Sequence, residues 1–389
     1  MVNCYTHARL VLNDRILADG FLLEDKGLIL ETGPMDKAPA GDMRRIPCKG
    51  FYLSPGFIDI HTHGGDGHDF MDGTEEAFIN AALLHLRHGT TTLLPTTLTS
   101  TDEDLFKTIE LFKKARKTAG LPCLPGLHLE GPYFSREQCG AQNPAYIRNP
   151  APEHYEKILE LAEGSVLRWS VAPELEGALE MGRRLSARGI LMSIGHSNAT
   201  YDEVLAAADN GYSHITHFYS CMSSIIRRKG YRIPGIIESA YLMDSLTVEI
   251  IADGFHLPPE LLRLIVKCKD NEKICLVTDS MRGAGEKEGP TILGSLKEGF
   301  PAIIEDGVAK LPDRSAFAGS VSTADRLVRV MVEQAGLPLE KAVAMMTRIP
   351  AGILGLSRKG SLLPGKDADM VIFDDKINIK RIFVHGRPV

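Results

Sequence analysis

One phrase recurs between residue 56 and about residue 280. A short apolar run rich in β-formers ends in polar residues, and an amphipathic helical pattern usually follows. The runs are "GFIDIHTH", "TTTLLPTT", "PGLHLEGP", "LRWSVAPE", "ILMSIGHS", "HITHFYS", "VEIIADGFH" and "ICLVTDS", eight in all. Between them lie stretches such as "STDEDLFKTIELFKKARKTAG", where Ser100 with Glu103 three residues on predicts a capping box and Gly120 a stop. "TYDEVLAAADNG" repeats the device with Thr200, Glu203 and Gly211. Eight strands alternating with helices predict an α/β fold, a (β/α)8 TIM barrel. An open doubly wound sheet normally carries a glycine-rich phosphate fingerprint after its first strand, and no G-x-G-x-x-G or Walker A motif occurs here.

The flanks differ. Residues 1–54 and 359–389 read as short strands with turn signals, each too short to bury much alone. Their size leads to the expectation that they pair with each other into a small β-sandwich domain beside a barrel of residues 55–358.

With a net charge of −6, the chain of 389 residues is a poor partner for nucleic acid, whose phosphates attract basic faces. Its start, "MVNCYTHARLVLNDRILADG", lacks the layout of a signal peptide, and no uncharged apolar run approaches the roughly 18 residues of a membrane helix. Seven cysteines without a C-x-x-C pair do not form a disulfide framework. A cytoplasmic protein with no membrane partner is expected, its cysteines acting as buried small hydrophobes.

In a barrel the chemistry sits at the C-terminal ends of strands. Those ends carry His61 and His63 in the first run, Glu130 in the third, His196 in the fifth, His217 in the sixth, His256 in the seventh and Asp279 in the eighth. Each alone has an ordinary structural fate: a hydrogen bond, a helix cap, a surface position. Two imidazoles two residues apart on a strand, however, point to one face. Imidazole plus carboxylate is also the ligand set of a catalytic zinc or iron site with an open position.

The pieces "PGFIDIHTHGG", "HGTTTLLPTT", "GLHLEGPYFS", "IGHSNAT", "THFY", "IADGFH", "LVTDSM", "AGS" and "KGSLLPGKDADMVIFD" run through nearly the whole chain. As a set they resemble the amidohydrolase superfamily and, within it, the N-acetylglucosamine-6-phosphate deacetylase family. The resemblance implies that Glu130, His196 and His217 hold a principal divalent ion. His61 and His63 would help hold a second, which some members lack. Zinc is the first expectation, with iron, cobalt and manganese also suited to these donors. Asp279 would move the proton from water to the leaving amine, and His256 would polarise the acetyl carbonyl. The implied reaction releases acetate from N-acetylglucosamine-6-phosphate, and the implied assembly is a homodimer.

Substrate contacts are implied less uniformly. "RRKGYRIPG" holds Arg227, Arg228, Lys229 and Arg232, either a solvated charge run or a phosphate site. The family's phosphate-binding arginine, near a dimer contact, matches Arg232, with Arg228 beside it. Three stretches depart from the family. Ser220 and Cys221 replace an Asn-Ala pair, Gln142 replaces a histidine near the sugar, and Arg282 replaces a small residue. These three departures, with His256, complete the expected substrate-binding set. They fit the usual sugar with altered contacts, or a related one such as N-acetylgalactosamine-6-phosphate. Cyclic amide hydrolysis, base deamination and a non-catalytic barrel are the rival readings. His68, His85, His88 and His128 are expected outside the ligand set, and His214 is expected to face the helices.

Overall fold

A computed structural model describes residues 1–389. All eight runs form strands: β1 (Phe57–Thr62), β2 (Thr90–Thr97), β3 (Leu127–Glu130), β4 (Val166–Val171), β5 (Leu191–Ile194), β6 (Tyr212–Ile215), β7 (Thr247–Ile250) and β8 (Ile274–Leu276). They are parallel and lie side by side in chain order. The ring closes just past the ends of β8 and β1. There Asp279 N donates to His61 O at 2.9 Å and His63 N to Ser280 O at 2.8 Å. Every residue of β1 and β2 is buried, as befits strands covered on both faces.

Local signals set the helix starts. Thr74 caps the helix Glu75–Arg87 by accepting from Ala77 N at 3.2 Å, and Thr200 and Glu203 form the expected capping box. The box at Ser100 is not formed. Thr101 is the N-cap, accepting from Asp104 N at 3.1 Å, so the helix runs Asp102–Ala115 and ends before Gly120. Ser100 Oγ instead donates to Thr101 O, a local alternative open to any serine near a helix start. No helix is long and apolar enough to cross a membrane.

The two chain ends share one eight-stranded sheet, in which residues 52–55 pair with 3–11 on one side and with 370–373 on the other. Residues 3–11 and 379–384 stand three places apart, about 14 Å in a flat sheet. Yet the rings of Tyr5 and Phe383 meet edge to face with centroids 5.2 Å apart. The sheet therefore curls over itself into two layers around Leu10, Leu22, Leu53 and Met370. Two insertions decorate the barrel mouth: an exposed hairpin, Ile226–Arg228 with Tyr231–Ile233, and a three-stranded sheet of residues 289–293, 300–305 and 308–310.

Candidate metal centre and catalytic cavity

The pleat of β1 sorts His-Thr-His as sequence alternation requires. Thr62 turns outward to hydrogen-bond His85 Nε2 at 3.1 Å, while the histidines on either side turn to the barrel mouth. Their Nε2 atoms lie 3.3 Å apart, and Asp279 Oδ1 stands 3.4 Å from His61 and 3.2 Å from His63. Beside them is a second triangle. Glu130 Oε1 is 3.2 Å from His196 Nε2 and 3.1 Å from His217 Nε2, which are 3.0 Å from each other. A tetrahedral ion with bonds of about 2.0–2.1 Å spaces its ligand atoms about 3.3 Å apart. Both triangles fit. Glu130 joins them, with Oε1 and Oε2 each 3.4 Å from a nitrogen of the first, so the set suits one ion or two.

Protonation favours the same conclusion. His61 Nδ1 lies 2.7 Å from Glu249 Oε1 and His196 Nδ1 2.8 Å from Gln138 O. Both partners only accept, so both rings carry a hydrogen on Nδ1, which leaves Nε2 as the atom that could hold an ion in place of a proton. Burial lowers the His61 pKa, but the carboxylates of Asp279, Glu249 and Glu130 outweigh it and push the value up to about 10. The site demands positive charge. Burial likewise raises Asp279, and the imidazoles of His61 and His63 overturn this to leave it below the usual carboxylate range.

Three of the converging residues sit in left-handed backbone: His196 at φ 48°, His217 at φ 26° and Asp279 at φ 46°. Such conformations cost a side-chain-bearing residue about 1–3 kcal/mol and persist where surroundings enforce them. Here they are pinned by Ser135 N donating to His196 O, His217 N to Glu249 Oε1, and Ser320 N to Asp279 O.

Residues 52–389 match the Amidohydrolase family. The chain belongs to this family. It is similar to the N-acetylglucosamine-6-phosphate deacetylase of Lysinibacillus sphaericus, 33% identical over 88% of this chain and 87% of that one. The N-acetylgalactosamine-6-phosphate deacetylase of Escherichia coli O157:H7 is 31% identical over 86% and 87%. Among solved structures, the N-acetyl-D-glucosamine-6-phosphate deacetylase of Mycobacterium smegmatis superposes with a TM-score of 0.90 at 32% identity, covering 100% of both chains.

In this amidohydrolase His63, Asp279 and the Glu130, His196 and His217 triangle line a cavity of about 260 Å³, together with Gln142, Ser220, Cys221, His256, Leu293 and Phe317. No lining residue is lysine or arginine. Arg228 and Arg232 lie on the exposed hairpin, away from the lining. Arg282 departs from its expected substrate role. It is buried, with Nη2 donating to Asp72 Oδ1 and Gly294 O, both at 2.6 Å, and Nη1 to Gly67 O at 2.9 Å. The buried carboxylate of Asp72 captures it, and it bolts the loop after β8 to the loop after β1. Gln142 lines the cavity with both ends of its side-chain amide engaged, by Glu130 and by the backbone of Thr99.

His128 faces the barrel interior, bonded to Thr96 and Ser170. His214 does too, contrary to expectation: its Nε2 is 3.3 Å from Glu249 Oε2. With Cys275 it makes a third cluster of metal-type donors, but the Arg168 guanidinium already neutralises Glu249 there. The cysteines are free, and only Cys4, Cys48 and Cys275 are buried as expected, while Cys268 is exposed.

Sequence reasoning missed Asp253, whose Oδ2 holds His256 Nδ1 at 2.7 Å and whose Oδ1 accepts from the backbone N of Phe255 and of His256, both at 2.8 Å. The three-residue spacing inside "IADGFH" was the available signal. Arg168 and Glu249 had none, because each lies inside an apolar run.

Proposed function

We propose that this amidohydrolase removes the acetyl group of N-acetylglucosamine-6-phosphate, giving acetate and glucosamine-6-phosphate. One observation carries the reading: the Asp279 carboxylate faces the cavity beside His61 and His63 and across from Glu130, His196 and His217. A divalent ion held by these donors, zinc first, supplies Lewis acidity. Asp279 takes a proton from water as the water oxygen bonds to the acetyl carbon, and delivers it to the nitrogen as the C–N bond breaks. His256, its ring oriented by Asp253 through Nδ1, stands in the cavity lining and supports the developing oxyanion. Leu293 and Phe317 keep bulk water from the acetyl group.

A cavity without a cationic lining residue leaves phosphate recognition to the hairpin. In a homodimer, Arg228 and Arg232 of that exposed arm are the groups available to meet a phosphate at a neighbouring mouth. Ser220 and Cys221 would line the sugar's path. Seven free cysteines support a cytoplasmic setting.

A second reading, N-acetylgalactosamine-6-phosphate, is favoured by the likeness to the Escherichia coli relative and by the departures at Ser220 and Cys221. Acetate release by metal-replete protein from both sugar phosphates and both free sugars separates the two. Release fastest from the glucosamine phosphate is expected, and none from any of the four would sink the proposal.

A further inference from the structure

Below the metal centre the barrel interior is polar where such barrels are usually filled by branched aliphatics. His61, His214 and Glu249 have fully buried side chains, as does Arg168. Glu249 on β7 is the hub. Its Oε1 accepts from His61 Nδ1 at 2.7 Å and from His217 N at 2.9 Å. Its Oε2 accepts from Arg168 and from His214 Nε2 at 3.3 Å. Arg168, in turn, donates to Ile60 O, Ser193 Oγ and Thr216 Oγ1, each at 3.1 Å. A single carboxylate oxygen thus grips one ligand from each donor triangle, the side chain of His61 and the backbone of His217. A buried ion pair adds little net stability over an apolar filling, so stability alone is a weak reason for this one.

We infer that Glu249, held by Arg168, is a positioning residue that fixes the separation of the two halves of the metal centre by gripping His61 and His217 through one oxygen. This rests on the metal-dependent reading above. It assigns Glu249 no contact with substrate or ion. Its work is to keep the Nε2 lone pair of His61 aimed at the ion while holding His217 in its left-handed backbone.

The test is divalent-ion binding to metal-free protein, followed with Zn2+ against a chromophoric chelator. Wild type, H61N, E249Q and the H61N/E249Q double variant are compared, with kcat and KM recorded in parallel. H61N identifies the binding step that involves His61. In E249Q that step should weaken about 10–100-fold, with kcat falling and KM unchanged. In the H61N background, E249Q should then weaken that step no further, a non-additivity that general loosening of the barrel does not produce. E249Q leaves the Arg168 charge unpaired, so R168M/E249Q, which removes both charges, serves if the single variant fails to fold. Wild-type affinity in either folded variant overturns the inference while leaving the deacetylase reading intact. Failure of the wild type to bind Zn2+ overturns both.

Discussion

Gln142 joins Glu130 to the backbone of Thr99: its Nε2 lies 2.5 Å from Glu130 Oε2 and its Oε1 accepts from Thr99 N at 2.7 Å. The carboxylate shared by both donor triangles is thus oriented by a neutral amide whose other end is anchored to the main chain. A Q142L variant loses a charge-assisted hydrogen bond worth about 1.5–3 kcal/mol. The expected outcome is a drop in kcat/KM of roughly ten-fold or more with weaker ion retention, read by steady-state kinetics and elemental analysis. Unchanged values on both counts would show that Glu130 needs no such brace.

Asp279 is the proton carrier of the proposed reaction. D279N should retain the ion of the Glu130, His196 and His217 triangle and lose about 10²–10⁴-fold in kcat, because an amide neither takes nor delivers the proton. Acetate release in a single-turnover experiment checks this, and a near-normal rate would remove Asp279 from that role.

Arg282 tests the difference between a substrate contact and a structural bolt. Its pair with Asp72 is 6% and 5% exposed, so R282M strands a buried carboxylate. Breaking one side of such a pair costs about 3–5 kcal/mol. Urea unfolding should register that loss while KM for the sugar phosphate stays put. A raised KM with unchanged stability would restore the substrate role.

His85 gives the fold a pH dependence. Burial lowers its pKa from 6.5 to about 4, and its Nε2 is satisfied by Gly64 O at 2.9 Å. The unfolded chain binds the proton more readily, so this contribution is fully present above pH 6.5 and is lost as pH falls towards about 4. Between about pH 7 and about pH 5 the loss is roughly 2 kcal/mol. Unfolding free energies at the two pH values, compared with those of H85Q, should differ by that much in their pH response. An identical response in H85Q contradicts the assignment.

The barrel was legible because each strand carries its own apolar run, and the ligand histidines because strand ends in a barrel converge by construction. What could not be read depends on partners distant in the chain. Arg168 sits in "LRWSVAPE", and nothing local says that it turns inward to meet Glu249, 81 residues away. Arg282 looks like a loop cation at the site until Asp72, 210 residues away in sequence, is found beside it. His214 was misjudged by extending strand parity from His217 across the turn where the backbone becomes left-handed. Alternation holds within a strand and fails at its end.

The curled sheet of the chain ends has a consequence for how the molecule is made. Its strand at residues 52–55 gains one neighbour from residues 3–11 but owes its other to residues 370–373. During synthesis that flank stays an unsatisfied backbone edge throughout the making of the entire barrel, a ready template for pairing with other chains. That edge finds its native neighbour only once residues 370–373 are available to pair with it. A truncation before Met370 would make that hazard permanent, even though every metal ligand would still be present.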